Sequence, residues 1–131
     1  MPPNTHRQLP PSERAPLVLV YSPDAVGAAL LGGLVETLGY GVLFASPPEP
    51  PSASLRRLRP RICLVDCSEP ESCSEEFLGR AMMRGVSVVI FGTRDVLDRV
   101  RALALEHRIE TLLVPLQLDE LEGVLLRARA I

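Results

Sequence analysis

Five short apolar runs punctuate the chain, each of strand length and each followed by a helical pattern. The first is Leu17-Val18-Leu19-Val20-Tyr21, the third is Ile62-Cys63-Leu64-Val65-Asp66, and the others cover residues 42–45, 86–91 and 111–114. Apolar residues recur at helical spacing after the first run (Val26, Leu30, Leu31, Leu34, Val35, Leu38), after the fourth (Val96, Leu97, Val100, Leu103, Ala104) and after the fifth (Leu118, Leu121, Val124, Leu125, Ala128). Shorter helices are predicted over residues 54–59 and about 75–84, the second closed by Gly85. Strands that are apolar throughout, rather than alternating, are buried on both faces. Five such strands alternating with helices predict an α/β domain with a doubly wound parallel sheet.

Local signals set the boundaries. Ser22 can cap the first helix, Pro23 suits its first position, and Asp24 complements the positive end of its dipole. Gly39-Tyr40-Gly41 ends that helix, and Gly32-Gly33 within it allows close packing on a sheet. Residues 1–15 are polar and Pro-rich and read as a disordered leader, and residues 46–54 form a Pro-rich loop. Residues 16–131 then make one domain.

Composition narrows the function. Net charge is −2, which gives no general attraction to nucleic acid or to an anionic membrane. The apolar runs are too short to span a bilayer, and residues 1–14 lack the apolar core of a secretory signal, so a cytoplasmic location is expected. Three cysteines, Cys63, Cys67 and Cys73, are an odd count that argues against a disulfide framework. Cys63 is expected in the core, and Cys67 and Cys73 are expected to be exposed beside Asp66. The Met82-Met83 pair reads as helix packing, and Arg56, Arg57, Arg59 and Arg61 as a solvated surface or a docking patch for an acidic partner or phosphate.

The candidate chemistry centres on Asp66, at the carboxyl end of the third run. In an open parallel sheet that is where sites lie, and an aspartate there can accept a phosphoryl group. Such chemistry needs a fixed cation close by, usually lysine. All 14 basic residues of this chain are Arg.

The order of elements, with Pro60 and Pro70 flanking Asp66, the stretch Thr111-Leu-Leu-Val-Pro-Leu-Gln-Leu-Asp-Glu-Leu121, the helix around Asp98-Arg99-Val100-Arg101-Ala102-Leu103 and the turn Leu38-Gly39-Tyr40, resembles the receiver domain of two-component response regulators. The resemblance covers about residues 16–131. It implies a flavodoxin-like (βα)5 fold with strand order 2-1-3-4-5, Asp66 at the phosphoacceptor position, and a cis peptide at Val114-Pro115.

Several site positions depart from the family pattern. The acidic pair that holds Mg2+ falls on Tyr21-Ser22-Pro23-Asp24, where only Asp24 is acidic and lies late. The family's Ser or Thr after the fourth strand falls on Gly92, with Thr93 next to it. Its lysine is Val114, before Pro115, and its switch aromatic is Thr111. The pattern resembles that of atypical, or pseudo-, receivers. The pocket positions are therefore Ser22, Cys67, Gly92, Thr93, Val114 and Pro115, with Asp24 and Asp66 as weakened Mg2+ ligands and Arg94 as a substitute cation.

Two roles for Asp66 stay open: a working acceptor, or a carboxylate retained at the strand end. The expected function is a signalling module, not an enzyme, that contacts a histidine kinase or an output protein. The resemblance implies a docking or homodimer face over residues 96–128. With no output domain after Ile131, a stand-alone module is expected. A further alternative is a flavodoxin-like small-molecule binder using the loop at residues 46–54 and Gly92-Thr93, although no Gly-rich phosphate fingerprint follows the first strand.

Overall fold

The computed structural model of the chain describes residues 16–45, 50–68 and 74–130. The proposed leader (residues 1–15), most of the first half of the Pro-rich loop (residues 46–49) and Cys73 lie outside the described residues. Five strands and five helices alternate: β1 Leu17–Tyr21, α1 Ala25–Thr37, β2 Gly41–Phe44, α2 Pro51–Leu58, β3 Ile62–Asp66, α3 Glu75–Met83, β4 Ser87–Gly92, α4 Arg94–His107, β5 Glu110–Leu113 and α5 Leu118–Arg129. All strand pairs are parallel, in the order β2-β1-β3-β4-β5. That is the doubly wound arrangement expected from the apolar runs, in the flavodoxin-like order that the resemblance implies.

Side chains of the central strands alternate between two cores. Val18, Val20, Ile62 and Leu64 face the core shared with α1 and α5. Leu19, Cys63 and Val65 face the core shared with α2, α3 and α4. Leu19 pairs with Cys63 and Cys63 with Val88, so the register places like-facing residues side by side. Burial pushes the Cys63 thiol up to about 12, which keeps it protonated and unreactive.

Several boundaries move by one residue from those read in the sequence. Strand β2 starts at Gly41, β4 at Ser87 and β5 at Glu110, while Ala45, Val86 and Val114 fall outside the strands. Hydrogen-bond register, which hydrophobicity does not report, decides these ends. Helix α1 differs more. Its buried residues are Ala28, Leu31, Gly32 and Val35, whereas Val26 and Leu30 are about 70% and 69% exposed. The cause is close approach: a Cβ on Gly32 would sit 2.5 Å from Cζ of Phe44, so the helix rests on its small residues. The second glycine, Gly33, meets nothing within 4 Å. Met83, read as packing, is exposed, while Met82 packs on the core.

Helix ends follow local chemistry. Gly39 and Gly85 take φ of 94° and 77°, the left-handed conformation that closes α1 and α3 without a Cβ clash. Helix α5 is tied to the amino-terminal edge of the sheet. Ser87 Oγ donates to the Ala128 carbonyl at 2.9 Å, and the Arg129 guanidinium lies 5.5 Å from the centre of the Tyr40 ring.

Leu64 is fully buried at the centre of β3. Leu64→Ala is expected to lower unfolding stability by roughly 2–5 kcal/mol in urea denaturation, while Leu105→Ala at an exposed position of α4 stays within about 0.5 kcal/mol.

Candidate functional site

The carboxyl ends of β1, β3, β4 and β5 open into one groove of about 510 Å³. Its polar wall is Ser22, Asp24, Asp66, Ser68 and Thr93. Its apolar lining comes from Leu30, Leu31 and Leu34 of α1, together with Val96, Val114 and Leu116. Parallel strands place all these loops at one edge, as strand-end sites require.

Asp66 is the last residue of β3 and the first on that strand to emerge from the core. Its Oδ2 accepts a hydrogen bond from Ser22 Oγ at 2.8 Å, and its Oδ1 accepts one from the Ser68 amide at 2.9 Å. Ser22 in turn accepts from the Asp24 amide at 3.1 Å. Ser22 was expected to cap α1. Asp24 is the cap instead, its Oδ1 accepting from the Val26 amide at 3.2 Å. The helix begins one residue after Asp24, which frees the Ser22 hydroxyl to reach across to β3. The signal in the sequence was the pair Ser22 and Asp24, either of which can cap, and only the tertiary contact chooses between them.

Gly92, Thr93, Val114 and Pro115 all line the groove. The Val114 amide donates to the Gly92 carbonyl at 2.9 Å, joining the two loops, and the Val114-Pro115 peptide is cis. Cys67 does not line it. Its side chain is buried among Phe77, Leu78 and Val65 and is disulfide-bonded, against the expectation of an exposed thiol. The odd cysteine count, read as an argument against a disulfide, misled because it excludes only that every cysteine pairs: Cys63 is free and Cys67 is disulfide-bonded. Arg94 also leaves the site. It points into a separate groove between α4 and β5, beside Asp98, Arg101 and Thr111. Among the described residues, no basic side chain lines the groove at Asp66.

The Arg cluster of the sequence is split by the fold. Arg56 lines a groove with Arg80, Arg84 and the exposed Met83. Arg61 turns instead to the Arg129 carbonyl at 3.3 Å.

No family model and no curated protein matches this chain. Solved structures do. The receiver domain of a sensor histidine kinase from Pseudomonas aeruginosa superposes with a TM-score of 0.73 at 20% identity, over 89% of this chain and 99% of that one. A response regulator receiver domain from Clostridium thermocellum gives 0.71 at 20%, over 88% and 94%. The N-terminal receiver domain of a two-component response regulator from Bacteroides fragilis gives 0.72 at 18%, over 88% and 97%. This chain has the receiver fold. At these identities the likeness is one of fold, and the chemistry of the receiver-fold pocket has to come from its own residues.

Those residues fit Mg2+ poorly. The Pseudomonas receiver holds a magnesium ion in its active-site cleft. Mg2+ demands near-octahedral oxygen ligands, carboxylates among them. Among the described residues only two carboxylates, Asp24 and Asp66, line the groove, and Asp24 turns one oxygen onto its own helix as a cap. Among the described residues, the three acid or histidine groups close enough to share one ion are Glu75, Glu106 and His107, a set without Asp24 or Asp66. The donor set at Asp66 falls short of a resident magnesium site.

Asp24→Ala removes the cap of α1. The expected loss is about 1 kcal/mol, measured by urea denaturation, with far-ultraviolet circular dichroism of the folded protein unchanged.

Proposed function

We propose that this protein is a receiver-like signalling module of a two-component system that acts by contact with a partner protein, with phosphorylation of Asp66 impaired or absent. The observation that carries this reading is the composition of the groove. Asp66 occupies the strand end where the fold presents an acceptor, yet Val114 stands where the resemblance places a lysine, and no described basic side chain lines the wall. A fixed cation and a metal stabilise charge on the transferring phosphoryl oxygens. Removing one such stabilising group costs on the order of 10²–10³ in rate, so losing several leaves little transfer.

The partner, a histidine kinase or an output protein, would meet the protein in the cytoplasm through α4, β5 and α5, within residues 96–128. These elements expose Leu105, Leu113, Leu118 and Leu126, flanked by the Arg101–Asp98 and Arg127–Glu110 ion pairs. The α4–β5 groove is open, since Thr111 is smaller than the aromatic that the resemblance places there. An apolar centre with a charged rim is the usual anatomy of a protein interface, and a second copy of the chain is one candidate occupant. Among the described residues, no helix is long and apolar enough to cross a membrane.

A second reading, a working acceptor with an altered pocket, keeps its support in the position of Asp66. Intact mass after acetyl phosphate and Mg2+, run beside Asp66→Asn, separates the two. The proposed function predicts no phosphate adduct on either protein. An adduct on the wild type alone establishes the second reading.

A further inference from the structure

Away from the groove at Asp66, one cluster of ligating side chains lies between two helices. Glu75 is the first residue of α3, and Glu106 and His107 are the last two of α4. The helices share one core, through Phe77, Leu78 and Ala81 of α3 and Val96 and Ala104 of α4. The two carboxylates and the imidazole offer ligand atoms that all lie within 4.8 Å of one another. Atoms bound to one zinc ion at about 2.1 Å each sit at most roughly 4.2 Å apart, so small side-chain rotations complete the set. Glu75 and Glu106 are exposed and free to make them.

Two independent observations point to a cation there. The Nε2 atom of His107 is closed to solvent and has no hydrogen-bond partner. A buried polar atom left unpaired costs free energy, and the imidazole nitrogen is the commonest metal ligand in proteins. The carboxylates supply the second observation. Glu76 holds Arg80 at 2.7 Å and Glu110 holds Arg127 at 2.8 Å, whereas Glu75 and Glu106 have no ion pair among the described residues. Two carboxylates so close together repel each other, and a shared cation relieves that repulsion.

Donor chemistry selects the ion. Mg2+ and Ca2+ prefer oxygen ligands, while one imidazole nitrogen with two carboxylates suits a borderline divalent ion such as Zn2+. We propose that Glu75, Glu106 and His107 form a zinc site that joins the start of α3 to the end of α4, with water completing the coordination. The set includes neither Asp24 nor Asp66. It therefore stands apart from the signalling reading, and a phosphate adduct on Asp66 would overturn that reading and leave this one intact.

The test is calorimetric titration of the full chain, purified free of metal, with zinc chloride, beside magnesium chloride and calcium chloride. Saturable binding of one zinc ion is expected, accompanied by a rise in Tm, with both control salts much weaker. His107→Ala and Glu75→Gln are each expected to weaken zinc binding about tenfold or more, the least that loss of an outer-shell partner costs a metal site. Glu75→Gln is at an exposed position and tests the site without disturbing the core. His6→Ala, at the other histidine of the chain, is expected to leave binding unchanged. In NMR spectra the ring nitrogens of His107 are expected to shift on adding zinc and those of His6 to stay. No saturable zinc binding, equal binding of magnesium, undiminished binding in either His107→Ala or Glu75→Gln, or loss of binding in His6→Ala would overturn the proposal.

Discussion

The structure depends on β3 being buried on both faces. Ile62 and Leu64 fill one core and Cys63 and Val65 the other, all fully inaccessible, so this one strand couples the α1–α5 layer to the α2–α4 layer. An ionised side chain inside such a strand would be strongly unfavourable. Asp66 is tolerated because it is the first residue past the core. The burial that holds the sheet together therefore also sets the point where a carboxylate can appear.

From that point the site assembles through loops rather than through neighbours in sequence. Ser22 lies 44 positions from Asp66 and donates to it. Gly92, the end of β4, and Val114, the first residue after β5, are joined by one backbone hydrogen bond. Parallel topology brings every carboxyl end to the same edge, so a single change at one loop alters the whole groove. With Val114, Pro115 and Leu116 on the loop after β5, that part of the lining is apolar. The proposed impairment of phosphoryl transfer thus rests on the local composition of this one groove.

Where the sequence misled, a specific contact was responsible. Apolar residues in α1 occupy a wider arc than the sheet can cover. The side that packs is chosen by Gly32, which lets the helix approach Phe44, and Val26 and Leu30 are left outside. Two capping residues in succession made Ser22 look local when it is the tertiary one. Arg94 was placed near Asp66 by its position after β4, yet the turn of α4 carries it toward β5. Cys67 turns inward under α3, where Phe77 and Leu78 wait for it.

The sequence by itself determined the layering of the domain, because apolar runs of strand length separated by helical periodicity can bury their surface in few other ways. It also determined Asp66 as the carboxylate that closes the third apolar run and the absence of lysine from any possible site, since composition holds in every conformation. Only the tertiary structure decided which hydroxyl meets Asp66, which arginines stay away from it, and which leucines remain uncovered. Those outcomes turn on register, helix rotation and loop direction. Each is set by packing between segments distant in the chain, and the local pattern of residues does not encode it.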